Sequence, residues 1–155
     1  MRGQQEWLGK IWNRIDDIDR RAVTLRGVRD QLKALIERTK EPTDSIVVAG
    51  KVLVTAIDSI EAVMISTKAK TFQDVINFRH GIVDQYGNLQ SAIDATDMPV
   101  TQGMKNRHGD LEKAWAPMSA RVDKILGADI SRFNDLIRSR NVPAILVPVT
   151  PPPIT

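Results

Sequence analysis

The sequence predicts an all-α protein: an up-down-up-down four-helix bundle with a Pro-rich extended C-terminal tail. Three observations predict it. Apolar residues recur at alternating steps of three and four in four separate stretches, the seam of helices packed on other helices. The stretches have bundle proportions and are joined in part by short loops. Five prolines lie between positions 143 and 153, and a helix interior does not tolerate that density. The organisation expected is therefore a bundle over residues 1–141 and a tail over residues 142–155.

The first helix is expected from about Gln4 to Thr39, with Leu8, Ile11, Ile15, Ile18, Ala22 and Leu25 inward and the seam resuming after Val28 at Leu32 and Leu35. Trp7, Trp12 and Ile36 widen the stripe beyond that of a two-stranded coiled coil. Glu41-Pro42 ends it, because the residue before proline is pushed out of the helical region. The second segment, from Ser45 to about Ile65, has two readings. Two β-branched runs flanking Gly50-Lys51 suit a hairpin. Against this, Ile46, Ala49, Leu53, Ala56, Ile60 and Val63 keep helical spacing for five turns, and Asp44 is a suitable N-cap. Helix is the reading adopted.

A connection from Ser66 to about Ile76 follows, pinned by Phe72, Val75 and Ile76. Asn77 then caps a third helix reaching about Ala95, with Phe78, Ile82, Tyr86, Leu89 and Ile93 inward. Gly81 and Gly87 each cost it about 1 kcal/mol, tolerable where another helix approaches closely. Asp97-Met98-Pro99 opens the fourth segment. Its seam is Met104, His108, Leu111, Trp115, Met118, Val122 and Ile125, shifting afterwards to Leu126, Ile130, Phe133 and Ile137. Pro117 lies inside and is expected to kink or split this helix. Beyond Asn141 the chain is extended, with a polyproline end.

Composition narrows the chemistry. There is no cysteine, which excludes disulfides, thiolate metal sites and cysteine nucleophiles. The formal charge is +3, with both outer thirds basic and the middle acidic. The signs interleave, as in Arg14, Asp16, Asp17, Asp19, Arg20 and Arg21, which describes a solvated helix face rather than the one-signed stripe of a nucleic-acid interface. No apolar run reaches membrane-span length, and the first ten residues lack the apolar stretch of a signal peptide. Neither histidine follows a glutamate at the spacing a di-iron bundle needs. His108 shares a face with Glu112, but one His and one Glu make a poor metal site, and His108 reads as packed at the core edge. Ser119, Ser131 and Ser139 show no nucleophile elbow, and no Gly-rich phosphate loop is present. No cofactor is expected.

Phe133-Asn134-Asp135-Leu136-Ile137-Arg138 followed by Asn141-Val142-Pro143-Ala144-Ile145 resembles the C-terminal ending of large bacterial proteins with a sortilin-like or sialidase-like β-propeller, often described as glycosyl hydrolases. Ile76-Asn77-Phe78-Arg79 resembles that family's entry into its third helix, with Arg79 where proline is common. Asp94 through Thr101 resembles the turn before its last helix, and Arg121-Val122-Asp123 with Leu126 fits the same helix. The resemblance covers about residues 4–147. It implies an extracytoplasmic setting and a helical appendage to a parent propeller. None of the propeller repeats is in this chain, so a parent's activity would not reside here.

The expected function is thus a non-catalytic helical module with a structural or interaction role. Its partner is the parent β-propeller or a second copy in a homodimer. The interface candidates are Trp7, Trp12 and Trp115, because aromatic residues are enriched at interface cores, and Ile145, Leu146 and Val147 of the tail, whose free backbone donors could join a sheet edge. The alternatives are a stand-alone adaptor holding a peptide in a helix groove and, less favoured, a ligand-binding or enzymatic bundle.

Overall fold

The structure, a computed structural model, describes residues 2–65 and 81–148. Among the described residues there are four helical rods. They are α1 (Arg2–Thr39), α2 (Ser45–Met64), α3 (Ile82–Asp94) and a last rod in which α4 (Gln102–Lys124) continues through a π-helical turn, Ile125–Asp129, into α5 (Ile130–Arg138). Among the described residues there is no strand, so the 45–57 segment is helix and the hairpin reading falls. The expected connection at 66–76, Asn77, Phe78, His80 and the polyproline end lie outside the described residues.

Local chemistry explains where the helices start and stop. The Asp44 carboxylate accepts the Ile46 N–H at 2.9 Å, and the Thr101 hydroxyl accepts the Met104 N–H at 3.2 Å. Each satisfies a donor that the first helical turn would otherwise leave unpaired. Lys40 stops α1 in the left-handed region at φ 61°, its N–H returning to the Ile36 carbonyl. Asn141 stops α5 at φ 59°. Its N–H bonds the Arg138 carbonyl and the Val142 N–H bonds that of Ile137, a Schellman arrangement.

Side-chain pairs fix the directions. Gln4 on α1 donates to the carbonyls of Ile93 and Thr96 beyond the middle of α3, whereas Arg14 meets Glu112 and Arg21 meets Asp123. Hence α4 runs parallel to α1, and α3 runs against it. Arg26 and Arg29 meet Glu61 while Ile36 lies against Gly50, so α2 also runs against α1. The helices therefore go up, down, down, up, which corrects the alternating order expected from four consecutive segments. Length is the physical reason. At 1.5 Å per residue α1 is about 57 Å long and α2 about 30 Å, so α2 and α3 lie in tandem to cover one partner. They meet at Gly81, where an added Cβ would fall 2.6 Å from the Met64 carbonyl oxygen. Beside the upper half of α1 the tail turns back along α5 and descends between these two helices, held by Gln31 and Asn134.

The core follows the expected seams with two shifts. Ile11, Ile18, Ala22, Leu25, Val28, Leu32 and Leu35 of α1 are buried, as are Ile82, Tyr86, Leu89 and Ile93 of α3. In α2 the buried set includes Val47, Ile57 and Met64, while Ala49 and Ala56 are only partly covered and Val63 is exposed. This helix is apolar on nearly every side, so spacing did not select the phase; packing on α1 did. In the last rod Leu111, Trp115, Val122, Ile125, Ile130, Phe133 and Ile137 are buried. The five-residue step from Ile125 to Ile130 is the π-turn, which inserts one residue and rotates α5 so that its apolar face returns to the core. Leu126, expected inward, is only partly covered there. Pro117 does not split the helix: α4 runs unbroken from Gln102 to Lys124. Pro117 and Lys113 are both exposed, so the carbonyl that proline leaves unpaired lies on a wet face. No helix among the described residues is long and apolar enough to cross a membrane.

Candidate functional site

The most specific polar geometry in the molecule lies where the tail crosses the seam between α1 and α5. Residues 142–148 have no helix or strand of their own, so their backbone groups need other partners. Two side-chain amides supply them. Asn134, on α5, accepts the Ile145 N–H at 2.8 Å and donates to the Ile145 carbonyl at 3.1 Å. Gln31, on α1, accepts the Leu146 N–H at 2.8 Å and donates to the Leu146 carbonyl at 2.7 Å. In an extended chain the N–H and C=O of one residue face one way and those of the next face the other. One helix therefore grips each side, as neighbouring strands would. An amide is the side chain suited to this, because it alone offers an uncharged donor and acceptor side by side.

The side chains in the clamp divide in the same way. Ile145 is buried and joins the main core, whereas Leu146 is 71% exposed and Val147 also faces solvent. Four neutral hydrogen bonds contribute about 1 kcal/mol each, and burial of the isoleucine about 2–3 kcal/mol. Ordering the extended backbone costs about 1–2 kcal/mol per residue, a cost of the same order as these gains, so the segment is held only shallowly. Above it Arg140 makes a two-pronged pair with Asp44, at 2.9 and 2.8 Å, tying the end of α5 to the start of α2. This pair, with the Ile46 N–H, holds the Asp44 carboxyl below its usual value. An open cleft of ≈ 590 Å³ runs between α1 and the start of the tail, lined by Gln31, Ala34, Arg38, Pro143 and Ala144 among others.

A second polar cluster joins α1, α3 and α4. Glu112 takes both prongs of Arg14, at 2.9 and 2.8 Å, and the Tyr86 hydroxyl at 2.6 Å. The Arg14 hydrogen bonds hold the Glu112 carboxyl below its usual value. The Tyr86 hydroxyl is pushed up, by burial first and by Glu112 second. His108 packs edge-on against Trp7 at 5.1 Å, and burial lowers its basicity. Glu112 has its acceptor sites engaged and is a poor proton acceptor, so the cluster reads as an inter-helix fastening. Among the described residues no group of three or more His, Asp or Glu is placed to hold a metal ion.

No protein-family model, curated protein or solved structure matches the chain. Its own geometry is what sorts the interface candidates. Trp115 is 3% exposed, with the Arg21 guanidinium over its ring at 5.9 Å. It is a core residue and is removed from the surface set, because its position in the α4 seam faces inward. Trp7 is half-buried, with Lys10 over the ring at 4.7 Å. Trp12 is 49% exposed and remains an open aromatic surface. Ile145 and Leu146 do not offer free donors for strand addition, since Asn134 and Gln31 occupy them. Sequence reasoning missed those two amides. The available signal was in the tail: an apolar Ile-Leu-Val run between prolines, with donors that a bundle has no backbone edge to receive.

Proposed function

We propose that this chain is a non-catalytic helical interaction module whose working surface is the seam between α1 and α5. The observation that carries this reading is the pair of amides that hold two consecutive residues by main chain alone. Recognition of that kind accepts any extended segment that presents an aliphatic side chain to the Ile145 seat and N–H groups at two successive positions. The polar clusters elsewhere support the same reading: they join helices to one another, as Arg26 and Arg29 do around the buried Glu61. In the setting implied by the sequence resemblance, the module packs on a parent β-propeller or on another copy of itself.

The test uses the full chain with Ile145→Asp, which vacates the seat by placing a carboxylate where burial would strip its hydration. A labelled peptide of sequence Val-Pro-Ala-Ile-Leu-Val-Pro is added, and its anisotropy is followed. Saturable binding is expected, weakened at least tenfold when Gln31 and Asn134 are both changed to Ala. No binding at high micromolar protein, with helicity unchanged, would overturn the reading.

A further inference from the structure

The seam need not be filled by the tail of its own chain. We propose that it is a receptor for the tail of a second copy, so that two chains exchange residues 142–148 to form a dimer; the inference rests on the interaction-module reading above.

Three observations lead there. First, the hydrogen bonds that seat Ile145 and Leu146 come from helix side chains, two from Asn134 and two from Gln31. A tail arriving from another copy would find the same four bonds and the same pocket for Ile145, so exchange forfeits no contact within the seat. Second, the connection behind the tail is built like a hinge. The Arg140–Asp44 pair anchors the end of α5. The chain then turns at Asn141 in the left-handed region, and Pro143 and Ala144 are exposed beside the open cleft. Only the torsions between Arg140 and Ile145 must change for the tail to leave. Third, the seat is shallow: one buried side chain followed by two that face solvent. Opening therefore has a small penalty compared with unfolding a helix.

Closed and exchanged forms thus differ in hinge torsions and in concentration. The tethered tail has an effective concentration in the millimolar range, which favours the closed monomer in dilute solution. High local concentration, as on a surface carrying many copies, favours exchange. Swapping an identical element is a low-cost route to a closed two-fold dimer.

A complementation experiment decides. One full-length variant has the receptor disabled, Gln31→Ala with Asn134→Ala, and keeps an intact tail. The other has the tail disabled, Ile145→Asp, and keeps an intact receptor. Neither can close or exchange alone, and both are expected to sediment as monomers. An equimolar mixture at high micromolar concentration is expected to sediment at twice the mass. In the mixture, the Ile145 and Leu146 amides of the receptor-disabled chain should become protected from hydrogen exchange. Leu146→Pro is a second tail variant. It removes a gripped N–H while changing a side chain that is already exposed, so it tests the same point if Ile145→Asp perturbs the fold. A mixture that stays monomeric, with both variants at full helicity, overturns the exchange. If the free peptide nevertheless binds the Ile145→Asp chain, exchange alone is wrong. If the peptide also fails, the seam is not a receptor at all.

Discussion

His108 shows how a single side chain can report on the bundle. It faces Trp7 on α1 and Tyr86 on α3, with Glu112 one turn on along its own helix and Lys10 and Arg14 on α1. Burial lowers its basicity, Glu112 partly opposes this, and Lys10 and Arg14 add to it. In the unfolded chain an imidazole binds a proton near pH 6.5, whereas the folded one resists. Below that pH the unfolded state takes up more protons, so stability is full above about pH 6.5 and falls as the pH drops through the folded value. The melting temperature should therefore decline as the pH is lowered below about 6.5, and His108→Phe should flatten that decline. An identical decline in both proteins would show that the histidine is not the sensor. Glu112 and Asp44, held below their usual values, act at lower pH. Their contribution is present above the unfolded carboxylate value and is lost as the pH falls through the folded one.

At the scale of elements, the joint between α2 and α3 makes the sharpest contrast. Gly81 caps α3 with an ordinary φ of −67°, so conformational freedom is not the reason for glycine. Space is: a Cβ would fall 2.6 Å from the Met64 oxygen and 2.8 Å from the Ile65 Cα, both backbone atoms that cannot swing aside. Gly87, one and a half turns later, has nothing within 4 Å of the same position. Gly81→Ala should lower stability by about 1–3 kcal/mol, whereas Gly87→Ala should raise it by about 0.5–1 kcal/mol. Opposite signs in denaturant melts are expected; a gain at both sites would mean the helix ends do not meet. The α2 seam carries a related lesson. Ile57 is fully buried while Val63 is exposed, although the sequence spacing ranks Val63 inward. A helix with a charged face declares its phase in sequence, as α1 does; α2 has too few charges to do so.

Across the whole molecule, α1 is the spine. It packs on α2 above and α3 below, and reaches α4 through Arg14 and Arg21 and the tail through Gln31. Because its core residues run from Ile11 to Leu35 as part of one cluster, with the partly buried Ile15 packed against it, neither half has a core of its own. Thermal unfolding followed by helical circular dichroism should be one cooperative transition. Two resolved transitions would show that the α2 and α3 halves melt independently.

Much of this was determined by the sequence alone. The class, the four helical stretches, the inward faces of α1 and α3, the Asp44 cap and the stop before the tail all depend on residues near one another in the chain. Periodicity, capping and proline placement report such local energies directly. The tertiary structure decided the rest. Helix direction depended on matching the length of α1 with two shorter partners, and the phase of α2 depended on which face α1 would bury. The correction at Ile125–Asp129 depended on where Phe133 and Ile137 had to point. The amide clamp joins Gln31 to Leu146 and Asn134 to Ile145, and the first of these pairs is separated by 115 positions. No local pattern encodes such a pairing, because both glutamine and asparagine are ordinary helix-surface residues until the fold lays an extended chain between them.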